Sequence, residues 1–401
     1  MMVKTAELEA KYIINTYGRK AGTTPSLVKG RGVYVWDEDG KKYLDFLGGL
    51  AVNVVGHCHP NVVRAIGEQA AELIHTSNLY YNAPQAELAR VLVENTLPGG
   101  KAFFANSGAE ANEAAIKLAR KYKPGRYKII SAERSFHGRT LATLTATGQP
   151  KYRTAFEPLV EGFSYAAFNN LDSFKALIDD STAAIIIEPV QGEGGVHVAE
   201  ENFIKGLREI CSRHGILLIF DEVQCGMGRS GELWAFENWE IKPDLLTTAK
   251  GLGGGLPIGA IVAGEAYTEV LQPGEHASTF GGNPVVCRAA LAVLDILLKD
   301  GFLAEVKEKG LMLKNELLNM AKNYPGLAGE YRGLGLICAL ELKQPRAKQI
   351  LEKCTNTGLL INAIGDNILR FLPPLTTTFE QLQEGLALFE TVLKETAAEA
   401  W

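Results

Sequence analysis

No stretch of this chain is apolar for long enough to cross a bilayer. Runs such as Gly215 to Phe220 stop far short of the ~20 residues that a spanning helix needs. The amino-terminal residues MMVKTAELEAKYIINTYG mix charge with apolar side chains, and they lack the unbroken apolar stretch and cleavage site of a secretion signal. A cytoplasmic protein with no membrane role is expected. A basic surplus is missing too: 41 Lys and Arg stand against 46 Asp and Glu, a net charge of −5, which argues against nucleic acid as a partner. The six cysteines (Cys58, Cys211, Cys225, Cys287, Cys338 and Cys354) show no short regular spacing, so reduced thiols are expected and not a disulfide framework. His57-Cys58-His59 and the pair Cys211 and His214 look superficially like metal ligands. Without a second matching pair no metal is expected. Internal repeats, low-complexity segments and long linkers are likewise absent.

What is present is the composition of an ordinary globular enzyme, 46% hydrophobic and 22% charged, in a chain of 401 residues, long enough for two domains. Short apolar runs alternate with helical patterns, the mark of an α/β fold. Strands are predicted at Lys101–Ala105, Lys128–Ser131, Ala183–Pro189, Ile216–Val223 and Leu245–Thr248, with a helix at Glu110–Tyr122. Runs such as AAIII and ILLIF are apolar on both faces, as buried parallel strands must be. Beyond Asn283-Pro284 come long helices (Val285–Lys299 and about Leu303 to Asn323), strand-like Gly335–Leu342 and Ile368–Phe371, and a terminal helix from about Phe379. LVKGRGVYVWDEDGKKYLDF alternates around Asp39-Gly40 like a hairpin. The expected organisation is a large, mostly parallel α/β domain over 57–284 and a smaller α+β domain over 285–401, with segment 1–56 packed beside the smaller one.

Four features carry chemistry. Asn106-Ser107-Gly108-Ala109-Glu110-Ala111-Asn112 lies between a strand and a helix. Its free backbone N–H groups, the Ser107 hydroxyl and the small Gly108 suit an anion, but they equally suit a plain helix cap. Asp221, followed by Glu222, ends an apolar strand at the sheet edge where open α/β folds bind ligands. There it could hold a protonated ring nitrogen, cap a helix or bind a metal. Lys250 stands between the stretch Leu245–Ala249 and the flexible Gly251–Gly255. Desolvation would make its amine a nucleophile, whereas most lysines are only solvated charges. In Ser135-Phe136-His137-Gly138-Arg139, Phe136 offers a face for stacking and Arg139 a fork for a carboxylate, against the alternatives of core packing and a surface ion pair.

Together with GHCHP (56–60), SFHGRT (135–140), EPVQGEGG (188–195), FDEVQCGMGRSG (220–231), TTAKGLGGGLPIGA (247–260) and STFGGNP (278–284), these residues resemble the class III (ω-amino acid) aminotransferases, a subgroup of fold-type I pyridoxal-phosphate enzymes, over essentially the whole chain. The resemblance implies an α/β fold with pyridoxal 5′-phosphate as cofactor. It implies that Lys250 binds the cofactor covalently and shuttles the proton, that Asp221 pairs with the ring nitrogen, and that Gln224 lies near the ring's phenolic oxygen while Phe136 stacks on the ring. Ser107, Gly108 and Ala109 would hold the phosphate with Thr279 of the neighbouring subunit, which makes a homodimer with shared sites. Glu222 and Val223 would border the cofactor, and Arg139, Ser278, Glu193 and Arg370 would contact substrate.

Within that class, HTSNLYYN (75–82) and DEVQCGMGRSG are what is expected of members acting on N-acetylornithine and 2-oxoglutarate in arginine biosynthesis. Where the similar ornithine enzymes place a tyrosine that bonds the free α-amine, this chain has Leu50, which cannot satisfy a buried ammonium but can tolerate an uncharged, acylated nitrogen; simple core packing of Leu50 is the alternative. The resemblance also implies that Arg139 holds the distal carboxylate in both half-reactions. Glu193 would neutralise Arg370 in the first and swing aside in the second; a purely structural Glu193–Arg370 bridge is the alternative. Other ω-aminotransferases (acting on ornithine, 4-aminobutyrate or succinyl-diaminopimelate) and a glutamate-1-semialdehyde-type aminomutase are the competing readings.

Overall fold

The computed structural model describes residues 5–20 and 22–399. Part of the amino-terminal stretch read for a secretion signal, residues 1–4, lies outside the described residues. At the centre is a seven-stranded sheet in the spatial order Lys101–Ala105, Gly259–Ala263, Leu245–Thr248, Leu217–Asp221, Thr182–Ile187, Lys128–Ala132, Phe163–Ala166. The strands from Leu245–Thr248 to Phe163–Ala166 are mutually parallel. Gly259–Ala263 alone runs against both of its neighbours. Every residue of Thr182–Ile187 and Leu217–Asp221 is buried, because helices cover both faces and leave no place for an alternating polar residue.

Two of the long helices begin at side chains that cap them. Ser107 caps Gly108–Tyr122, and Asn283 caps Pro284–Leu297, whose first-turn proline needs no hydrogen-bond partner. A second sheet, antiparallel throughout, orders Ala328–Leu334, Ile337–Leu342, Ile368–Phe371 and Asn362–Ile364. The amino-terminal strands Leu27–Arg31, Tyr34–Asp37 and Lys42–Asp45 form an antiparallel set with Gly40 at φ +81° in the turn. Lys42–Asp45 then pairs in parallel with Leu359–Leu360, so the two ends of the chain share a sheet.

Four strands of two or three residues (Val190–Gln191, His197–Val198, Leu359–Leu360 and Asn362–Ile364) and three longer ones were not legible in the sequence: Phe163–Ala166, Gly259–Ala263 and Ala328–Leu334. The last two carry glycines, and AGEYRGL also carries charge, so neither has the β-branched density that marks a strand. Two predicted strands end sooner than expected, at Ile187 and Asp221, which leaves Glu188, Glu222 and Val223 in the loops beyond. Predicted Gly335–Leu342 is shortened to Ile337–Leu342, with Gly335 turning at φ +59°. No described helix is long and apolar enough to cross a membrane.

Candidate active site

The parallel strands deliver their chemistry at one edge. Ala105, Ile187, Asp221 and Thr248 are each the last residue of a strand, and the loops that follow line a common cavity of about 460 Å³. Ser107, Gly108, Ala109, Phe136, Arg139, Glu193, Asp221, Val223, Gln224 and Lys250 all border it.

At the helix start the cap is observed, and it leaves room for an anion beside it. Ser107 Oγ accepts from Glu110 N at 3.2 Å, a true cap, while Glu110 Oε2 reaches back to Asn106 N at 2.7 Å. Gly108 and Ala109 occupy the first helical positions, where no carbonyl lies a turn behind to take their N–H groups. A Cβ on Gly108 would sit 2.7 Å from Val223 Cγ1, so only glycine lets this turn close on the loop after Asp221.

Asp221 is 3% exposed. Its Oδ2 accepts from Asn112 Nδ2 and His137 Nδ1, both at 2.7 Å, and its Oδ1 accepts from Val223 N at 3.0 Å. These donors fill three of the roughly four lone-pair sites of a carboxylate, leaving capacity for one more donor from the cavity. Asn112 is itself fixed, giving to His137 O at 2.8 Å and accepting from Thr247 Oγ1 at 2.7 Å. Neither His137 nor Asn112 was assigned a role from the sequence. Both stand inside quoted motifs, but only the folded chain brings positions 112, 137 and 221 together.

Glu222 departs from its expected place beside the cofactor. It does not border the cavity: its carboxylate accepts from Ala235 N at 2.6 Å and Phe236 N at 2.8 Å, and burial pushes its pKa up to about 8. Successive side chains leave a strand end on opposite sides, so Asp221 and Glu222 cannot both face the site. Leu50 is a second correction. Gly48, Gly49, Leu50 and Ala51 run consecutively at φ between +55° and +66°, a left-handed turn that leaves Leu50 40% exposed. The cavity is met from this segment by Val52. Ser278 and Thr279 also lie away from it. Ser278 Oγ accepts from Asn106 Nδ2 at 3.1 Å, and both residues line surface hollows.

Lys250 opens the short turn Lys250–Gly253 with φ +43°, an uncommon conformation for a residue with a side chain. Burial holds its amine below the ordinary lysine range. Glu193 opposes this, and the Arg370 charge adds to it. Arg370 is itself fully buried. It gives Nη1 to Glu193 Oε1 at 2.8 Å and to Gln224 Oε1 at 2.9 Å, and Nη2 to Asn362 Oδ1 at 2.8 Å. Gln224 Nε2 closes the triangle on Glu193 Oε1 at 3.0 Å. Burial alone would raise the Glu193 carboxyl, but Arg370 and then Lys250 outweigh it and hold it at about 2. Arg139 lies over the Tyr152 ring at 4.2 Å and the Phe136 ring at 5.5 Å, and no acid among the described residues forms an ion pair with it. Glu188, raised by burial, ties Phe136 N (2.9 Å) to Gly192 N (3.3 Å), joining the aromatic wall to the loop that carries Glu193.

The metal-like pairs have other duties. His57 Nε2 meets Asp45 Oδ2 at 2.7 Å, His59 caps the helix Pro60–Glu72, and Cys211 is buried in the core. Because the Lys250 amine is desolvated, reductive methylation of cofactor-free protein by formaldehyde should modify it at a lower pH than the surface lysines. Glu193→Ala, which removes the charge favouring the ammonium form, should move that midpoint lower still. Peptide mapping across a pH series reads the result, and a Lys250 midpoint equal to that of the exposed lysines would refute it.

The comparisons agree with this geometry. Residues 17–393 match the family described as Aminotransferase class-III. The acetylornithine aminotransferase of Caldanaerobacter subterraneus is 51% identical, covering 96% of this chain and 98% of that protein. That of Methanocaldococcus jannaschii is also 51% identical, covering 97% and 98%. Among solved structures, the ornithine aminotransferase of Toxoplasma gondii superposes with a TM-score of 0.93 at 31% identity, covering 99% and 97%. The N-acetylornithine aminotransferase of Stenotrophomonas maltophilia gives 0.83 at 34%, covering 98% and 99%. With the family matched over nearly its whole length, the chain belongs to the class III aminotransferases, enzymes that work with pyridoxal 5′-phosphate.

Proposed function

We propose that the protein moves the terminal amino group of N2-acetyl-L-ornithine to 2-oxoglutarate, yielding N-acetyl-L-glutamate 5-semialdehyde and L-glutamate, as arginine biosynthesis requires. The observation that carries this reading is the pairing state of two arginines: Arg139, on the cavity wall without an acid partner among the described residues, and Arg370, buried off that wall and neutralised by Glu193, which borders it. One carboxylate-binding fork is always ready, and a second is available only on demand. A site that takes an amine carbon without a carboxylate in one half-reaction, and one with it in the next, needs that asymmetry. The names of the relatives support the substrate, and so does Val52, whose apolar side chain borders the cavity. It offers no acceptor to a free α-ammonium, whereas an acylated nitrogen carries no charge to compensate.

Ser107, Gly108 and Ala109 would hold the cofactor's phosphate together with Thr279 of the partner subunit. Phe136 would cover the ring, Val223 would pack beside it, and Gln224 would stand near the ring's phenolic oxygen. Bound there, pyridoxal 5′-phosphate supplies an electron sink for charge that develops on the reacting carbon. Asp221 would pair with the ring nitrogen, and His137 and Asn112 aim its carboxylate by donating to it. Lys250 would hold the cofactor, and its desolvated amine would carry the proton that must move between carbons. Arg139 grips the distal carboxylate of either substrate, and Glu193 leaves Arg370 when an α-carboxylate arrives. Ser278, next to Thr279 in the chain, would help to line the substrate side of the partner's cavity. The large unit would span 57–284 and the smaller one 285–401 with 1–56. The six unpaired thiols suit a reducing cytoplasm.

The decisive experiment mixes yellow holoenzyme separately with N-acetylornithine, ornithine, 4-aminobutyrate and succinyl-diaminopimelate and follows the loss of the cofactor's absorbance. N-acetylornithine should react fastest, and 2-oxoglutarate should restore the colour. Faster bleaching by ornithine would sink the substrate assignment, and turnover without 2-oxoglutarate would point to an aminomutase. Glu193→Ala leaves Arg370 exposed, so the ratio of the glutamate to the N-acetylornithine half-reaction should rise by about tenfold or more. An unchanged ratio in single-turnover kinetics would leave the pair a purely structural bridge. A homodimer with shared sites should lose activity in parallel with dimer mass on dilution in the ultracentrifuge, and an active monomer would refute it.

A further inference from the structure

Arg229 is fully buried, yet it pairs with no acid among the described residues. Its Nη1 donates to two backbone carbonyls, Leu336 O at 3.2 Å and Pro373 O at closer range. Its Nε and Nη2 find no partner among the described residues. Burial lowers its pKa to about 9, the direction expected of a cation with no counter-ion. An apolar side chain of similar volume would fill the space without that cost, so what the guanidinium grips must explain its presence.

Both carbonyls belong to the module that carries Arg370. Leu336 lies in the turn before the strand Ile337–Leu342, whose neighbour is Ile368–Phe371, and Pro373 follows Arg370 by three positions. The turn is pressed onto Arg229 from the other side as well. Leu336 N donates to Arg229 O at 2.9 Å, and Gly335 lies so near that a Cβ there would meet Arg229 O at 2.5 Å. Pro373-Pro374 is stiff, since both φ angles are fixed by the rings. It is bracketed by Leu372 N on Phe46 O and Leu375 N on Val54 O, each at 2.7 Å. Arg229 grips this rigid segment at its middle. The same loop that begins at Asp221 therefore touches the Arg370 strand twice, through Gln224 on the guanidinium and through Arg229 on the backbone just beyond it.

We propose that Arg229 is a positioning residue for Arg370: by holding the carbonyls of Leu336 and Pro373 it fixes how far Arg370 reaches toward the cavity, and so sets the affinity for an α-carboxylate. This rests on the reading of Arg370 as the group that receives the α-carboxylate of glutamate and 2-oxoglutarate. When Glu193 neutralises Arg370, its position matters little to the substrate. When an α-carboxylate must be gripped bidentately, a small displacement breaks one of two hydrogen bonds.

The test compares Arg229→Lys and Arg229→Met holoenzymes with wild type in single-turnover half-reactions, with Arg370→Lys as the benchmark for a damaged grip. Both Arg229 variants should weaken the apparent Kd for glutamate and 2-oxoglutarate by about tenfold or more, Met more than Lys, while that for N-acetylornithine stays within about threefold. The pattern should match that of Arg370→Lys. Equal losses in both half-reactions, no loss in either, or failure of both variants to fold and bind the cofactor would each assign Arg229 to structure alone and overturn the proposal. Should wild type itself not react with N-acetylornithine, the substrate reading falls, yet the glutamate arm still reports on Arg229.

Discussion

A single buried carboxylate organises this site. Asp221 ends a strand that is buried along its whole length, so its charge cannot be solvated by water and must be met by the protein. Asn112, His137 and the backbone of Val223 meet most of that demand, and each comes from a different place in the sequence. The remainder is open to the cavity. Because a half-satisfied buried charge is costly, the helix Gly108–Tyr122, the loop carrying Phe136 and the loop after Asp221 are held in fixed relation to one another. The same three segments supply the capped turn at Ser107, the aromatic wall and Gln224. The geometry that satisfies one acid thus also builds the rest of the pocket.

The second buried charge works differently. Arg370 is brought in on the smaller antiparallel sheet and is neutralised by Glu193, which stands on a glycine-bordered loop. A neutralised cation is inert toward a substrate that has no carboxylate to offer, but it remains available to one that does. The network that holds it spans both sheets, through Gln224 on one side and Asn362 on the other. Lys250 feels both members of the pair, so a change at the arginine is felt by the amine. The buried ion pair and the amine are therefore electrostatically linked, with the acid at position 193 between Arg370 and Lys250.

Several local structures were legible because a few adjacent residues suffice to specify them. Ser107 caps a helix because its hydroxyl lies within reach of Glu110 N, and Asp39-Gly40 turns a hairpin because glycine takes positive φ without strain. Apolar strands revealed themselves by composition wherever both faces are buried. Gly259–Ala263 and Ala328–Leu334 did not: glycines weaken the local signal in both, and the first also pairs with Lys101–Ala105, far away in the chain.

For the same reason the fold class, the family and ten of the residues that border the cavity could be read from the chain alone: each rests on short motifs whose chemistry is self-contained. Only the tertiary structure decided which side chains face the site. Strand alternation turned Glu222 away from it, four consecutive left-handed residues exchanged Leu50 for Val52, and Ser278 and Thr279 came to rest outside the cavity of their own chain. It also revealed His137, Asn112 and the burial of Arg229 without an acid partner among the described residues. Direction and burial are set by contacts between residues tens to hundreds of positions apart, and a local pattern carries no information about them.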